Sequence, residues 1–236
     1  MICGIHQLHY LPWLRYMEKI ARSDIFVILD DAQFNKNGWQ NRNKIKCPTG
    51  WCYLTVPVKQ RNRQMLAEVE IADAETWRKK HLKSLESYYR KAPHFETYFP
   101  RFEAIYAKDW HRLGPLNLEI IYTCLEALGI RTPIRLSSSL GIQGKATERI
   151  RDICLSLEAD RYLSGAFAAE QYLDAEYLKA AGITPIFQQW RCPEYPQLFP
   201  EAGFVPDLSI ADLLFNHGEK SLELLLSGGM IIESIK

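Results

Sequence analysis

The apolar run IFVIL at residues 25–29, closed by Asp30 and Asp31, constrains this chain more than any other segment. A stretch that is apolar at every position suits a strand covered on both faces, as in a parallel sheet. Parallel neighbours need a crossover between them, and the preceding residues supply one. ICGIH, residues 2–6, reads as a strand, and QLHYLP as a turn with Pro12 placed for the first turn of a helix. WLRYMEKIAR then sets Leu14, Met17, Ile20 and Ala21 on one helical face. The opening of the chain therefore reads as a βαβ unit.

Residues 33–50 that follow are polar and rich in Asn and Gly. Strands are expected at 51–58 (WCYLTVPV) and 67–71 (AEVEI), with a polar loop between them. Asp73 is placed to cap a helix starting near Glu75. From Thr76 to Leu128 the pattern is helical, and Pro93, Pro100 and Pro115 are expected to divide it into about three helices. Alternation resumes after Thr132. PIRLSSS reads as a strand, ATERIRDICLSL as a helix and DRYLSG as a strand, followed by a helix in AAEQYLDAEYLKAAG ended by Gly182 and a strand in ITPIFQQW. Ser209 is placed to cap a helix in PDLSIADLLFN, and a short helix is expected from Lys220. Strand–helix alternation at both ends predicts an α/β fold: a doubly wound, mostly parallel sheet in a single domain over residues 1–236, with an inserted, mainly helical subdomain at about 73–130.

Composition excludes whole classes. With 47% hydrophobic and 24% charged residues, the chain is neither disordered nor fibrous in character. No apolar run approaches the roughly 18 residues of a membrane span, and the N-terminus lacks a secretion pattern, so a cytoplasmic protein without membrane insertion is expected. A formal net charge of +1 argues against nucleic acid as a partner. The charge is unevenly spread, however. No acid falls between Asp31 and Glu68, whereas Lys36, Arg42, Lys44, Lys46, Lys59, Arg61 and Arg63 do. That segment is either a solvated basic hairpin or a site for an anion such as phosphate, pyrophosphate or a carrier-linked phosphopantetheine. The cysteines (Cys3, Cys47, Cys52, Cys124, Cys154 and Cys192) read as reduced thiols. Cys47 and Cys52 lack two further ligands at recognisable spacing, so no metal is expected.

Ligands of an open parallel sheet bind beyond the carboxyl ends of its strands. The first such end carries His6, Gln7 and His9, just ahead of a helix. The second carries Asp30, Asp31 and Gln33, and the strand ending near Leu136 is followed by Ser137, Ser138 and Ser139. If the first two strands are neighbours, histidines and aspartates share one cleft. An imidazole held by a carboxylate is a competent general base, and a helix N-terminus beside it favours an anion. The opposing reading leaves one histidine as a helix cap and one aspartate as an arginine's partner. NGWQNRNKIK gathers Asn37, Trp39, Gln40, Asn41, Arg42, Asn43 and Lys44, a polar surface suited to sugar hydroxyls or phosphates, and Tyr10 joins these as a candidate substrate contact. Gly141, Gly144 and Lys145 do not make a P-loop, and neither GxGxxG nor GxSxG occurs, so Ser137 to Ser139 read as loop hydrogen-bonders. Cys192 follows the last strand and would need a lowered pKa to act as a nucleophile. Asn216 and His217 read as capping and packing residues.

HQLHYLPWLRYMEKIARSDIFVILDDAQFNKNGWQNRNKIK, LTVPVK, LGIRTPIRLSSSL, IRDICLSLEADRYLSG and the ending YPQLF…PDLSIADLLFNHG together resemble the WbqC-like family, in the expected order over about residues 5–218. Family members often read QPxxFPxxGYF at the opening; here Leu8 replaces the Pro and Arg15 the Gly. The resemblance implies work in bacterial surface-polysaccharide, including O-antigen, or specialised-metabolite biosynthesis. At the level of fold, HQLHYLPW sits where nucleotidylyltransferase-like proteins carry a His-containing loop. The expectation is a transferase moving an acyl or aminoacyl group to an amine acceptor on an amino sugar or nucleotide sugar. His6 or His9 would deprotonate the acceptor, Asp30 or Asp31 would orient that histidine or bind the ammonium, and Arg42 and Lys44 would hold a phosphate. No cofactor is expected, and the partners are a phosphate-bearing small molecule and, as a further candidate, an acyl carrier protein. The alternatives are nucleotidyl transfer or adenylation with ATP and Mg²⁺, and a non-catalytic sugar- or carrier-binding protein.

Overall fold

Strands β1 (Ile2–Gln7) and β2 (Ile25–Leu29) lie side by side and parallel, with Cys3 opposite Ile25 and Gln7 opposite Leu29. Helix α1 (Leu14–Ala21) joins them. This computed structural model describes residues 1–35, 38–59, 64–72, 76–165 and 173–233. The sheet grows outward from this pair. Strand β7 (Ile134–Leu136) adds to β2, while β8 (Arg161–Gly165) adds to the other side of β1 and β9 (Thr184–Trp190) to β8, all parallel. Strand β10 (Gly229–Ile232) closes that edge antiparallel to β9. The order is therefore β10-β9-β8-β1-β2-β7. The direction of growth reverses between β1 and β8, and such a reversal opens a crevice at the carboxyl ends of the two strands.

Alternation along β1 and β2 feeds two cores, one on each face of the sheet. Phe26 and Ile28 pack with Leu14, Met17 and Ile20 of α1. Cys3, Ile5 and Val27 face the other way, toward Ile150, Ile153 and Cys154 of α6 (Ala146–Ser156) and Leu178 of α7 (Ala175–Ala180). The sheet is thus mixed, mostly parallel and covered on both faces.

Between β2 and β7 the chain forms the antiparallel hairpin β3 (Arg42–Cys47) and β4 (Gly50–Thr55), then the short pair β5 (Val58–Lys59) and β6 (Glu70–Ile71). Helices α2 (Thr76–Tyr89), α3 (Phe95–Ala107) and α4 (Leu113–Leu128) follow. After β7 come α5 (Ser137–Leu140), α6, β8, α7 and β9, and then α8 (Ile210–His217) and α9 (Ser221–Ser227). Ser209 caps α8, its hydroxyl accepting from the Ala211 amide. Among the described residues no helix is long and apolar enough to cross a membrane.

Several local expectations are corrected. Pro12 lies outside α1, whose N-cap is Trp13, because the Pro12 carbonyl is taken by the Ile210 amide. Residues 42–47 form a strand although they look like loop, since the inward Asn43 is satisfied by the Leu11 carbonyl at 2.6 Å. The strand expected at 51–58 breaks before Pro57, which has no N–H for a ladder. At 67–71 a 3-10 turn, Leu66–Glu68, leaves only two residues of strand. Pro100 lies inside α3, and Pro115 sits in the first turn of α4, where a missing N–H costs nothing. PIRLSSS stops being a strand at Leu136, and its serines open α5. Lys36, Asn37, Arg61, Arg63, Asp73, Glu75 and residues 168–172 of the helix expected before Gly182 lie outside the described residues. The rest of that helix is α7, capped by Asp174 through the Tyr177 amide at 3.0 Å.

Candidate functional site

A hollow of about 560 Å³ opens where the sheet reverses. β1 contributes His6 and Gln7, and the loop after it His9 and Trp13. Arg15, Tyr16 and Lys19 come from α1, Tyr162 and Gly165 from β8, Gln188 from β9, and Trp39 from the segment ahead of β3. The two imidazoles meet edge to face with their centres 4.7 Å apart, and His9 stacks on Tyr16 at 5.0 Å. His6 Nδ1 lies 3.3 Å from the Gln7 carbonyl. His9 is 5% exposed, and among the described residues its Nδ1 has no hydrogen-bond partner.

Burial decides the protonation of these groups. Loss of water, aided by the Lys19 charge, draws His6 down to about 3. The same loss of water, with His6 alongside, holds His9 well below the ordinary imidazole range. Both rings are held neutral at physiological pH, and so far below the ordinary imidazole range they are weak bases. Lys19 differs. Its ammonium is buried, donates to the Ile5 carbonyl at 2.8 Å and lies 5.8 Å from the centre of the Tyr162 ring. Desolvation brings its pKa down to about 8, with Cys3 opposing. Roughly one-tenth of it is free amine at pH 7.

Although β1 and β2 are neighbours, the imidazole–carboxylate pairing expected from that adjacency does not form. Asp30 and Asp31 follow the last residue of β2 and turn toward α5 and α6. Asp30 accepts from the Ser138 amide (3.0 Å) and hydroxyl (2.6 Å) and from Ser137 Oγ (3.2 Å). Asp31 accepts from Ser137 Oγ and from the Arg149 guanidinium, each at 2.5 Å. Partial burial works to raise the Asp31 pKa, but the hydrogen bonds from Arg149 and Ser137 outweigh it and hold the carboxyl below its ordinary value. Neither aspartate lines the hollow.

The other expected contacts divide. Gln7 accepts from Gln40 Nε2 at 2.8 Å, while Gln40 in turn accepts from the Asn35 amide. Gln33 forms a β-bridge with Met65. Tyr10 is fully buried away from the hollow, its hydroxyl bonded to His81 Nδ1 at 2.7 Å and to Tyr106. Asn41 donates to the Val56 carbonyl at 3.0 Å, so both asparagines of β3 and its approach fasten backbone. Trp39 reaches the hollow and stacks on Trp13 at 5.2 Å. Arg42 and Lys44 stand on the outer face of the hairpin, over Tyr53 (4.6 Å) and Trp51 (4.7 Å). Lys46 is buried, its ammonium given to the Gly203 carbonyl.

A second cavity of about 740 Å³ holds Cys192, Trp190 and Asp207, and Arg15 lines both spaces. Burial pushes the Cys192 thiol up to about 11, which opposes a nucleophilic role. Asn216 donates to the Asp212 carbonyl and His217 to that of Pro196, as capping groups do. All six cysteines are unpaired, and among the described residues no group of three or more His, Cys, Asp or Glu side chains is gathered as metal ligands would be.

Reading the sequence overlooked Lys19, Tyr16, Arg15 and Gln188. In α1, Glu18 and Lys19 lie off the apolar stripe of Leu14, Met17 and Ile20, where charged side chains ordinarily reach water, so the sequence carries no signal for Lys19. Glu18 is buried with Lys19, bonded to Arg22 at 2.9 Å and to Gln188.

A family profile described as the WbqC-like protein family matches residues 7–224. The uncharacterized protein Rv1507c of Mycobacterium tuberculosis (strain ATCC 25618 / H37Rv) is 35% identical over 226 residues, covering 94% of this chain and 96% of the relative. No solved structure matches the chain significantly.

Proposed function

The chain belongs to the WbqC-like protein family, and from that premise we propose that it is a transferase of bacterial surface-glycan or specialised-metabolite biosynthesis. It moves an acyl or aminoacyl group onto an amine acceptor, an amino sugar or nucleotide sugar. The observation that carries this reading is Lys19, a desolvated amine with a pKa of about 8 beside two neutral imidazoles in the hollow.

An amine attacks a carbonyl only through its free lone pair. As its nitrogen bonds to the acyl carbon it must lose a proton, and the uncharged fraction of Lys19 accepts it. The bond from that carbon to the donor's leaving group then breaks, and the proton passes to the leaving group. A neutral imidazole has one N–H: that of His6 is on Nδ1 and goes to the Gln7 carbonyl, which leaves His9 as the ring that donates to the substrate carbonyl oxygen as it gains charge. This exchanges the roles expected from sequence: Lys19 is the base, His9 polarises, and His6 packs edge to face on His9. Walls of Trp13, Tyr16, Trp39 and Ile150 keep water from competing with the amine.

The test incubates the protein with thioester and aminoacyl-adenylate donors against a panel of amino sugars and nucleotide-linked amino sugars, with products identified by mass. Acylated product should form, and Lys19→Gln should reduce its rate at least about a hundredfold. Full activity in that variant overturns the role of Lys19, and substrate binding without turnover favours a non-catalytic protein.

One observation favours a second reading, nucleotidyl transfer or adenylation. The strands run in the doubly wound dinucleotide-binding order, and the histidine loop lies between β1 and α1. That reading requires binding of ATP with Mg²⁺, so an absence of heat in calorimetry at millimolar nucleotide removes it.

A further inference from the structure

We propose that the outer face of the β3–β4 hairpin is the docking site for a nucleoside diphosphate. Its base stacks on Trp51 or Tyr53, Arg42 and Lys44 hold its diphosphate, and the group on the second phosphate points past Trp39 into the hollow. The delivery of that group rests on the transfer reading above; the nucleotide site itself does not.

Large rings seldom stand on a surface without a purpose when they gather in one patch. Trp51 is 43% exposed and Tyr53 38%, on the same side of β4. The register sets Arg42 opposite Thr55, Lys44 opposite Tyr53 and Lys46 opposite Trp51, so three cations of β3 share that side; the Lys46 ammonium is buried on the Gly203 carbonyl, and Arg42 and Lys44 lie about 7 Å apart along the strand. Arg42 lies 4.6 Å from the Tyr53 ring centre, and Lys44 lies between Trp51 (4.7 Å) and Trp39 (5.6 Å). The inner side of the hairpin is anchored. Asn43, Ile45 and Leu54 are buried, and the Lys46 amide donates to the Tyr89 hydroxyl at 2.8 Å. The outer face is therefore a rigid platform.

The platform is continuous with the hollow. Ring centres run from Trp51 to Tyr53 (5.0 Å), to Trp39 (6.5 Å), to Trp13 (5.2 Å) and to His9 (6.2 Å). The hairpin itself brings only positive charge, since no acid occurs in the sequence between Asp31 and Glu68. Rings and cations together call for a ligand with a flat π face next to concentrated negative charge. A neutral glycan satisfies the rings but offers no charge to the Lys44 ammonium, whereas free phosphate does the reverse. A long single-stranded nucleic acid needs an extended basic groove, and this chain carries a net charge of only +1. A nucleoside diphosphate supplies both features within the span of the hairpin.

Calorimetry and tryptophan fluorescence on the full chain test this directly. The ligands are UDP, dTDP, GDP and ADP, with inorganic pyrophosphate, a methyl glycoside and oligouridylate as controls. At least one nucleoside diphosphate should bind, more weakly at higher salt, and Trp51→Ala and Lys44→Gln should each weaken it about tenfold or more. Lys19→Gln should bind nucleotide as the wild type does, so loss of transfer and loss of docking are told apart. Circular dichroism checks that the variants, altered only on an outward face, remain folded. The site is overturned if no nucleoside diphosphate binds at millimolar concentration, if both hairpin variants bind unchanged, or if pyrophosphate, glycoside or oligonucleotide binds as tightly.

Discussion

Lys19 of α1 donates to the carbonyl of Ile5 in β1 at 2.8 Å, so a helix side chain is tied to the sheet's central strand at the edge of the hollow. The bond fixes where the amine sits, and burial fixes its charge. Its folded pKa of about 8 lies below the unfolded value of 10.5. Between these values the unfolded chain binds more protons, so this group adds stability as pH rises from 8 to 10.5. Below pH 8 its full cost is present. Urea denaturation across that range should show the wild type gaining on Lys19→Gln by at most about 3 kcal/mol. Parallel curves for the two proteins would contradict the buried amine.

Asp31 pairs with Arg149 and Ser137 rather than with an imidazole, so it fastens α5 and α6 to the end of β2. Asp31→Asn should cost about 1 kcal/mol of stability and leave turnover within about tenfold. Because the carboxyl is held below its ordinary pKa, the support is complete above that ordinary value and is lost as pH falls through the folded one. A collapse of activity without loss of stability would return Asp31 to the chemistry.

Tyr89 links the hairpin to α8. Its hydroxyl accepts from the Lys46 amide and donates to Asp212 Oδ1, both at 2.8 Å, in the core. Tyr89→Phe takes away the partner that the Lys46 amide and Asp212 Oδ1 share, while Tyr195 and Gln197 still hold Oδ2, and it should cost about 1–3 kcal/mol in chemical denaturation. An unchanged midpoint would mean that the hairpin is held some other way.

Gly4 lets the end of α1 approach β1. A Cβ there would meet Ser23 Oγ at 2.2 Å and the Phe26 ring at 2.6 Å. Gly4→Ala should therefore destabilise by about 1–3 kcal/mol. Adding Ser23→Ala should recover part of that loss, as expected for two groups in contact. No recovery in the double variant would place the strain elsewhere.

The sequence made the α/β frame legible because IFVIL is apolar at every position and only a doubly covered strand tolerates that. The lining of the hollow was only partly legible. His6 and Gln7 follow from the end of β1, but the side taken by Asp30 and Asp31 depends on the serines of α5, more than a hundred residues away. Tyr10 looked like a loop contact, yet its partner is His81 on α2. Lys19 was hidden because a long amphipathic side chain on a helix ordinarily reaches water. Only the crossing of α1 over β1 shows that this one does not. The hairpin strand β3 escaped notice because Asn43 and Lys46, both polar, occupy buried positions.

The most direct measurement is the pH dependence of kcat/KM for acyl transfer by the wild type and by Lys19→Gln. If Lys19 takes the acceptor's proton, the wild-type rate rises through an inflection near pH 8, and the variant is slow at every pH with that inflection gone. A variant that keeps both the rate and the inflection would show that the base lies elsewhere.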